Sequence, residues 1–170
     1  MSSAVSLNLS MTVSAQIAKH LREVYVGKNW TWSNLKEHLT DVDWHQAVAK
    51  PNNVNSIAAL VYHINYFVLA AIGVLQGRPL TAHDKYSFDL QPIQNQQDWD
   101  TLVTKALSDA ETLASLIETL PDTILCETFF DEKYGSYYRN LHGIIEHAHY
   151  HLGQIVIVKK MLQSAAENGD

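Results

Sequence analysis

Four long segments of this chain carry apolar residues at helical spacing, and nothing in it alternates in the manner of a run of strands. The segments cover about residues 13–39, 54–76, 96–119 and 137–164. An amphipathic helix cannot hide its apolar stripe alone and must pack against others. The sequence therefore predicts an all-α fold, a four-helix bundle, formed by a single domain over residues 1–170.

Residues typical of caps and turns mark the ends of the first two helices. The first segment is interrupted at Gly27 to Asn29, where we expect a kink or a break. Ser14 is a candidate N-cap at its start, and Ser33 is another after the interruption. Asn and Ser residues open the second segment, and Gly77-Arg78-Pro79 closes it.

Two connections between the helices are long. The polar connection Leu80–Asn95 is long for a helical bundle, which favours a functional role. The third helix is expected to end before Pro121, and the fourth to begin after the turn Gly135-Ser136. Between them, Asp122–Tyr134 is irregular, although Thr128–Phe130 could form a short strand.

Composition excludes several classes of function. The chain has 170 residues, 46% of them hydrophobic and 18% charged, which is typical of a globular domain. The net charge of −6 comes with no basic cluster, so nucleic acid is not an expected partner. No apolar run has the expected length of a membrane span, and the N-terminus lacks the pattern of a signal peptide. With Cys126 as the single cysteine, no disulfide can form within the chain, and we expect a cytoplasmic protein.

His63 lies on the apolar face of the second helix. Helical spacing places it in line with four apolar residues, namely Leu60, Phe67, Ala70 and Val74. A buried imidazole needs partners for both ring nitrogens. Two interpretations follow: a core histidine that hydrogen-bonds to neighbouring polar groups, or a metal ligand.

The fourth helix offers two groups of possible ligands. His147 and His151 are four residues apart and share one helical face. His142, Glu146 and His149 form the second group, on nearly the opposite side. The apolar stripe runs between the two groups, and it favours the first only mildly. Two histidines at this spacing, joined by His63, would give three nitrogen ligands with an open coordination position.

Other sites are less well supported by the sequence. It contains no glycine-rich phosphate loop, no zinc-protease motif and no nucleophile elbow. Only Glu146 with His149 has the spacing that di-iron carboxylate bundles require on two helices. The remaining histidines have no partner at ligand spacing and are expected at the surface or in an interface: His20, His38, His45 and His83.

The chain resembles the DinB/YfiT family of metalloenzymes. The resemblance rests on His63 within NSIAALVYHINYF and on HAHYHLGQI, which is similar to the family pattern H-x-x-x-H-x-G-Q. The stretches GKNWTWSNLKEHL and YGSYYRNLHGIIEH are also similar to this family.

The resemblance implies a four-helix bundle of largely up-and-down type, often homodimeric. It also implies a divalent metal ion, usually zinc or nickel, bound by three histidines. Carried over to this chain, the ligands would be His63, His147 and His151. The second group on the fourth helix would then take no part in the site.

The resemblance also implies a reaction. Some relatives transfer low-molecular-weight thiols to electrophiles, so a metal-dependent thiol S-transferase acting on a small molecule is the first expectation. Arg139 and Lys85 are candidate contacts for an acidic thiol, and Cys126 is not expected to be the nucleophile. Two alternatives keep the same metal site: a hydrolase of small esters or amides, with Glu146 pointing away from the ligand face, and a non-catalytic, stress-related dimer.

Overall fold

The computed structural model describes residues 11–167, and side chains over residues 11–165. All regular structure in that range is helical. The six α-helices are α1 (Val13–Tyr25), α2 (Leu35–Leu39), α3 (Trp44–Val48), α4 (Ile57–Leu75), α5 (Gln96–Glu118) and α6 (Tyr137–Glu167). Short 3-10 turns occupy Pro51–Asn53, Asp84–Tyr86, Asp122–Cys126 and Glu132–Tyr134.

The four long helices contact one another in a closed ring. α5 packs against α1 and α4, and α6 packs against the same two helices. Each helix thereby buries its apolar stripe between two neighbours, which is the reason such stripes are stable in water. The largest side chains buried in this core include Leu21, Leu60, Leu113, Ile145 and Ile155.

The second, third and fourth predicted helices are found as α4, α5 and α6 with modest changes at their ends, whereas the first is divided into α1 and α2. The interruption at Gly27 to Asn29 is a full break, because α1 ends at Tyr25 and α2 begins at Leu35. Gly77 has a φ of 76° directly after α4, in the left-handed region where glycine stops a helix without strain. α6 runs three residues beyond the predicted end.

Both predicted caps of the first segment are wrong. Thr12 is the N-cap of α1, and Asn34, not Ser33, caps α2 through a hydrogen bond from the Glu37 amide. Ser14 instead lies buried in the first turn of α1. Cap residues of similar chemistry stand next to one another here, so sequence spacing could not separate them.

The structure adds α3, which the sequence did not predict. Five residues give too short a pattern for periodicity to reveal. Asp43 and Gln46 close a capping box at its start. The buried indole of Trp99 on α5 donates a hydrogen bond of 2.8 Å to the carbonyl of Val42, which ties this region to the core.

Thr128–Phe130 does not form the suggested strand. Thr128 makes one isolated antiparallel bridge with Ser136 and nothing longer. The flanking residues form 3-10 turns instead. A strand needs a partner strand for its backbone groups, and the described part of the chain offers none.

The expectation that no apolar run is long enough for a membrane needs correction. The segment Pro51–Leu75, which contains α4, has the length and apolar composition of a membrane span. Of its most apolar window, 61% is buried inside the protein, as in the core helix of a soluble fold. The N-terminal stretch in which no signal peptide is expected lies largely outside the described residues.

Candidate metal centre

Three histidines from two helices meet at one point of the ring. His63 projects from α4, and His147 and His151 project from successive turns of α6. The Nε2 atom of His147 lies 3.0 Å from Nε2 of His63 and 3.0 Å from Nε2 of His151. His63 and His151 are buried, and His147 is half-buried.

A buried serine fixes the ring orientation of His63. Ser87 Oγ lies 2.8 Å from His63 Nδ1 and donates its own proton to the Asp84 carbonyl, 2.7 Å away. Since a hydroxyl has one proton, it must accept from the imidazole, so Nδ1 carries the hydrogen. The lone pair of His63 is then on Nε2, which faces the other two rings.

Gln154 holds His151 in the same tautomer. Its Oε1 atom lies 2.7 Å from His151 Nδ1. A carbonyl oxygen can only accept, so Nδ1 of His151 is again the protonated nitrogen. This contact gives a physical role to the glutamine in the H-x-x-x-H-x-G-Q pattern.

The protons available cannot satisfy all three converging nitrogens. In neutral imidazoles, the ring protons of His63 and His151 are held by Ser87 and Gln154. Even if His147 carries its proton on Nε2, that single hydrogen would have to serve both 3.0 Å contacts, one to His63 and one to His151. At least one lone pair is left without a good donor, which is unfavourable for buried polar atoms. A cation among the three nitrogens removes this conflict.

The donor set and its spacing suit a divalent transition metal. Nitrogen ligands of one tetrahedral zinc ion, at about 2.0–2.1 Å from it, stand roughly 3.3 Å apart. The two observed Nε2 separations are close to that value. Three imidazoles also leave one position open for another ligand, and ligand histidines held by an outer hydrogen bond are typical of metal sites.

All three histidines are kept neutral, as metal ligands must be. Burial, with repulsion from His151 and His63, lowers the pKa of His147 to about 4. Burial is also the main cause that lowers the pKa of His63 and of His151. Near neutral pH the three nitrogens therefore offer lone pairs and do not compete with protons.

A cleft of about 520 Å³ opens beside this centre. His63, Phe67 and His147 form its inner wall. The ring of Phe88 stacks on His63 with centroids 4.2 Å apart, and covers that imidazole from the side of the connection. The rest of the lining comes from the connection and from the first turns of α6: Asp84, Arg139, Asn140, Gly143, Ile144 and Glu146.

The second group of histidines does not join this centre. His142 contacts Glu146 at 3.4 Å, and its ring lies 6.4 Å from that of His20 on α1. The ring of His149 lies 5.9 Å from His20. His20, for which no partner at ligand spacing was expected, packs its ring near these residues. Within the described part of the chain, only His63, His147 and His151 bring their ligand atoms together.

The remaining histidines and the cysteine singled out in the sequence make separate contacts elsewhere. His38 bonds to Ser33, His45 stacks on Trp44, and His83 packs edge-on against Tyr86. Cys126 is exposed in a 3-10 turn.

Several residues of the cleft were missed or misjudged from the sequence. Glu146 lines the cleft, although its carboxylate contacts His142 and not the three converging histidines. Lys85 is not among the lining residues, whereas Arg139 is. Asp84 and Ser87 were not predicted, because they lie in a connection without periodicity. Only the unusual length of that connection indicated a role.

The fold and the site together define a class of protein. It is an all-α protein whose helices bring three neutral histidines together beside an open cleft. The sequence matches the family model of the DinB superfamily over residues 29–155, a span that includes the three histidines and Gln154. The chain belongs to the DinB superfamily. Comparison with the curated proteins gave no match, and comparison with the solved structures gave none either.

Proposed function

We propose that this protein binds a divalent metal ion, zinc or nickel, through His63, His147 and His151. We further propose that it is a metal-dependent transferase that joins a low-molecular-weight thiol to a small electrophile. The observation that carries the proposal is the excess of lone pairs over protons among three Nε2 atoms, of which that of His147 lies 3.0 Å from each of the other two. Membership of the DinB superfamily supports the same site.

The residues around the site would have different roles in this reaction. A divalent ion held here would lower the pKa of a small thiol and so favour its thiolate at neutral pH. Ser87 and Gln154 keep Nε2 of two ligands free by holding the protons on Nδ1. Phe67 and Phe88 exclude water from the His63 ring, which strengthens charge interactions at the site. The cleft gives an electrophile access from one side.

Metal content of histidine variants tests the site. Protein loaded with cobalt(II) or nickel(II) should bind one ion, and each of His63→Ala, His147→Ala and His151→Ala should weaken binding at least tenfold. His149→Ala is the matched control, since it lies on the same helix between two of the ligands and should bind normally. Normal binding by all three ligand variants would refute the site.

A conjugation assay tests the reaction. The metal-loaded protein is mixed with a panel of small thiols and an activated aryl halide, and thioether formation is measured. We expect a rate that depends on metal and is lost in His147→Ala. No metal-dependent rate with any thiol would exclude the transferase.

One observation favours a second candidate, a hydrolase of small esters or amides. Asp84 and Glu146 both line the cleft, so a carboxylate is available there as a general base for an attacking water. Hydrolysis of nitrophenyl esters, measured for the wild type and Asp84→Asn, would separate this activity from thiol transfer.

We also propose the finer architecture that the resemblance implies. The ring of α1, α5, α4 and α6 supports a four-helix bundle of largely up-and-down type. A cytoplasmic homodimer without nucleic acid or membrane partners completes this proposal. The alternative of a non-catalytic dimer predicts metal binding without turnover of any substrate.

A further inference from the structure

The flank of α6 that faces α1 carries a second group of donor side chains, apart from the three converging histidines. His142 and Glu146 are four residues apart on α6 and share one side of it. Nδ1 of His142 lies 3.4 Å from a carboxylate oxygen of Glu146. The ring of His20 on α1 lies beside them, with its centroid 6.4 Å from that of His142. Two imidazoles and a carboxylate from two helices are thus neighbours on one part of the surface.

The spacing of His142 and Glu146 is that of two ligands of one ion. Ligands of a tetrahedral zinc ion, at about 2.0–2.1 Å from it, stand roughly 3.3 Å apart. The observed separation is 3.4 Å. As an ion pair alone, this contact would add little to the stability of the fold, because the two side chains are 39% and 72% exposed. Stability therefore gives no strong reason for the pair, whereas its spacing meets the requirement of a metal site.

His20 is free to complete such a site. Its side chain is partly exposed, and among the described residues no hydrogen bond holds either nitrogen of its ring. In the three-histidine centre, the ring centroids lie 4.5, 4.6 and 4.8 Å apart. The His20 ring must therefore approach His142 from 6.4 Å to about 4.8 Å, and rotation of an unheld side chain between its staggered positions allows this movement.

His149 lies outside this set, although its ring is 5.9 Å from that of His20. It follows His142 by seven residues, so the two residues begin roughly 10.5 Å apart along the axis at 1.5 Å per residue. An ion on Nδ1 of His142 lies close to the backbone of that residue, within reach of Glu146 one turn away. The Glu146 carboxylate is also directed towards His142. The residue of α6 that can share an ion with His142 is therefore Glu146.

We propose that His20, His142 and Glu146 form a second metal site, which binds a zinc ion and joins α1 to α6. Imidazole nitrogen and carboxylate oxygen are both common ligands of zinc, and water would fill the remaining position at this exposed surface. The second site is weaker than the three-histidine centre, because its ligands are not held in place before the ion arrives. It therefore empties when excess metal is removed. The second site does not depend on the proposed thiol transfer.

Zinc binding at buffered free concentrations tests the second site. We expect one ion per chain at nanomolar free zinc and two ions when free zinc reaches the micromolar range. His20→Ala, His142→Ala and Glu146→Gln should each weaken binding of the second ion at least about tenfold, since even the loss of an outer partner of a ligand has that effect. The controls are His149→Ala and His45→Ala, which alters an exposed histidine of α3, and both should keep the second ion.

Nitrogen chemical shifts of the imidazoles show which side chains bind the second ion. With one equivalent of zinc already bound, further zinc should shift the resonances of His20 and His142 together, and that of exposed His45 only at higher concentration. The second ion should also raise the melting temperature of the wild type, because it binds only the folded chain. His20→Ala should lose this increase.

The outcomes separate the second site from the three-histidine centre. His63→Ala should lose the first ion and keep the second, so each site is measured without the other. A single ion per chain at every zinc concentration would overturn the second site. Equal shifts of His45 and His142 at the same zinc concentration would mean that zinc binds any exposed histidine, and would overturn it as well. Loss of the second ion in His149→Ala but not in Glu146→Gln would refute the proposed ligands.

Discussion

The outer nitrogens of His63 and His151 decide what the inner ones can do. Each Nδ1 proton is donated to an oxygen that can only accept a hydrogen bond there. The Ser87 hydroxyl already donates its own proton to Asp84, and the carbonyl oxygen of Gln154 has no proton to donate. The inner nitrogens are thereby fixed as acceptors before any ligand arrives. Such preorganisation lowers the free-energy cost of binding, since neither of these two rings must rotate or change tautomer.

Ser87→Ala should weaken metal binding by about 10- to 100-fold, the usual effect of removing an outer partner of a ligand histidine. The change leaves the Nδ1 proton of a buried ring without an acceptor, so His63 gains freedom to adopt the other tautomer. Competitive titration with a chromophoric chelator measures the affinity. Nitrogen chemical shifts of the metal-free protein report the tautomer directly.

The control for this prediction is Ser108→Ala, which removes an exposed hydroxyl on α5. It should alter neither the metal affinity nor the tautomer of His63. Ser87→Thr, which keeps a hydroxyl, should recover part of the metal affinity. An unchanged His63 tautomer in Ser87→Ala would show that the serine does not orient the ring.

At the scale of elements, the start of α1 is held by a residue far along the chain. The amides of Val13 and Ser14 donate to the two carboxylate oxygens of Asp122, each at 2.9 Å. Thr12 satisfies the amide of Ala15. The free N–H groups of this helix end are therefore bonded, and the negative charge also complements the helix dipole.

Asp122→Asn should lower the melting temperature by a few degrees at pH 7. Hydrogen bonds from the Ser14 and Val13 amides hold the pKa of Asp122 below its ordinary value of 3.8. A depressed carboxyl pKa stabilises the fold fully above the unfolded value, and this stabilisation is lost as pH falls through the folded value. The difference in melting temperature between wild type and variant should therefore disappear below about pH 3.8.

Thermal melts from pH 7 to pH 3 measure this gap. Asp89→Asn, an exposed aspartate in the connection before α5, should show no gap at any pH. A gap for Asp122→Asn that is constant down to pH 3 would mean that the carboxylate charge is not the cause.

Elements with long periodicity were predictable, and contacts between distant segments were not. α4, α5 and α6 each contain many turns of one repeating stripe, so their bounds and the inward position of His63 follow from spacing. The pairing of His147 with His151 follows from the same geometry. Ser87 meets His63 across 24 residues, from a segment without repeat, and no local rule specifies such a contact.

At the scale of the whole molecule, the candidate metal would join two helices that are already packed. α4 and α6 contact each other directly, and apolar residues such as Leu60 and Ile145 are buried in the same core. An ion at the three histidines would therefore add to the stability of the fold and would not be its sole support. This distinguishes the site from small domains that fold only around a metal.

Removal of the metal by a chelator should lower the melting temperature by roughly 5–10 °C without unfolding the protein at 25 °C. An ion present at 100 times its dissociation constant stabilises by about 2.7 kcal/mol, and each kcal/mol shifts the midpoint of a chain of this size by about 2–4 °C. Calorimetry with and without chelator gives the shift. His147→Ala should not respond, and complete unfolding of the wild type on chelation would indicate a structural metal.

The ligand histidines lie far apart along the chain, and this has a consequence for the order of events in biosynthesis. His147 follows His63 by 84 residues, so a nascent chain carries one ligand long before it has the other two. Closing so large a loop costs conformational entropy, which the packing of α6 against α1 and α4 offsets. Uptake of the proposed metal would therefore be a late event, and a bound ion would indicate that synthesis has reached the last helix and that this helix has docked.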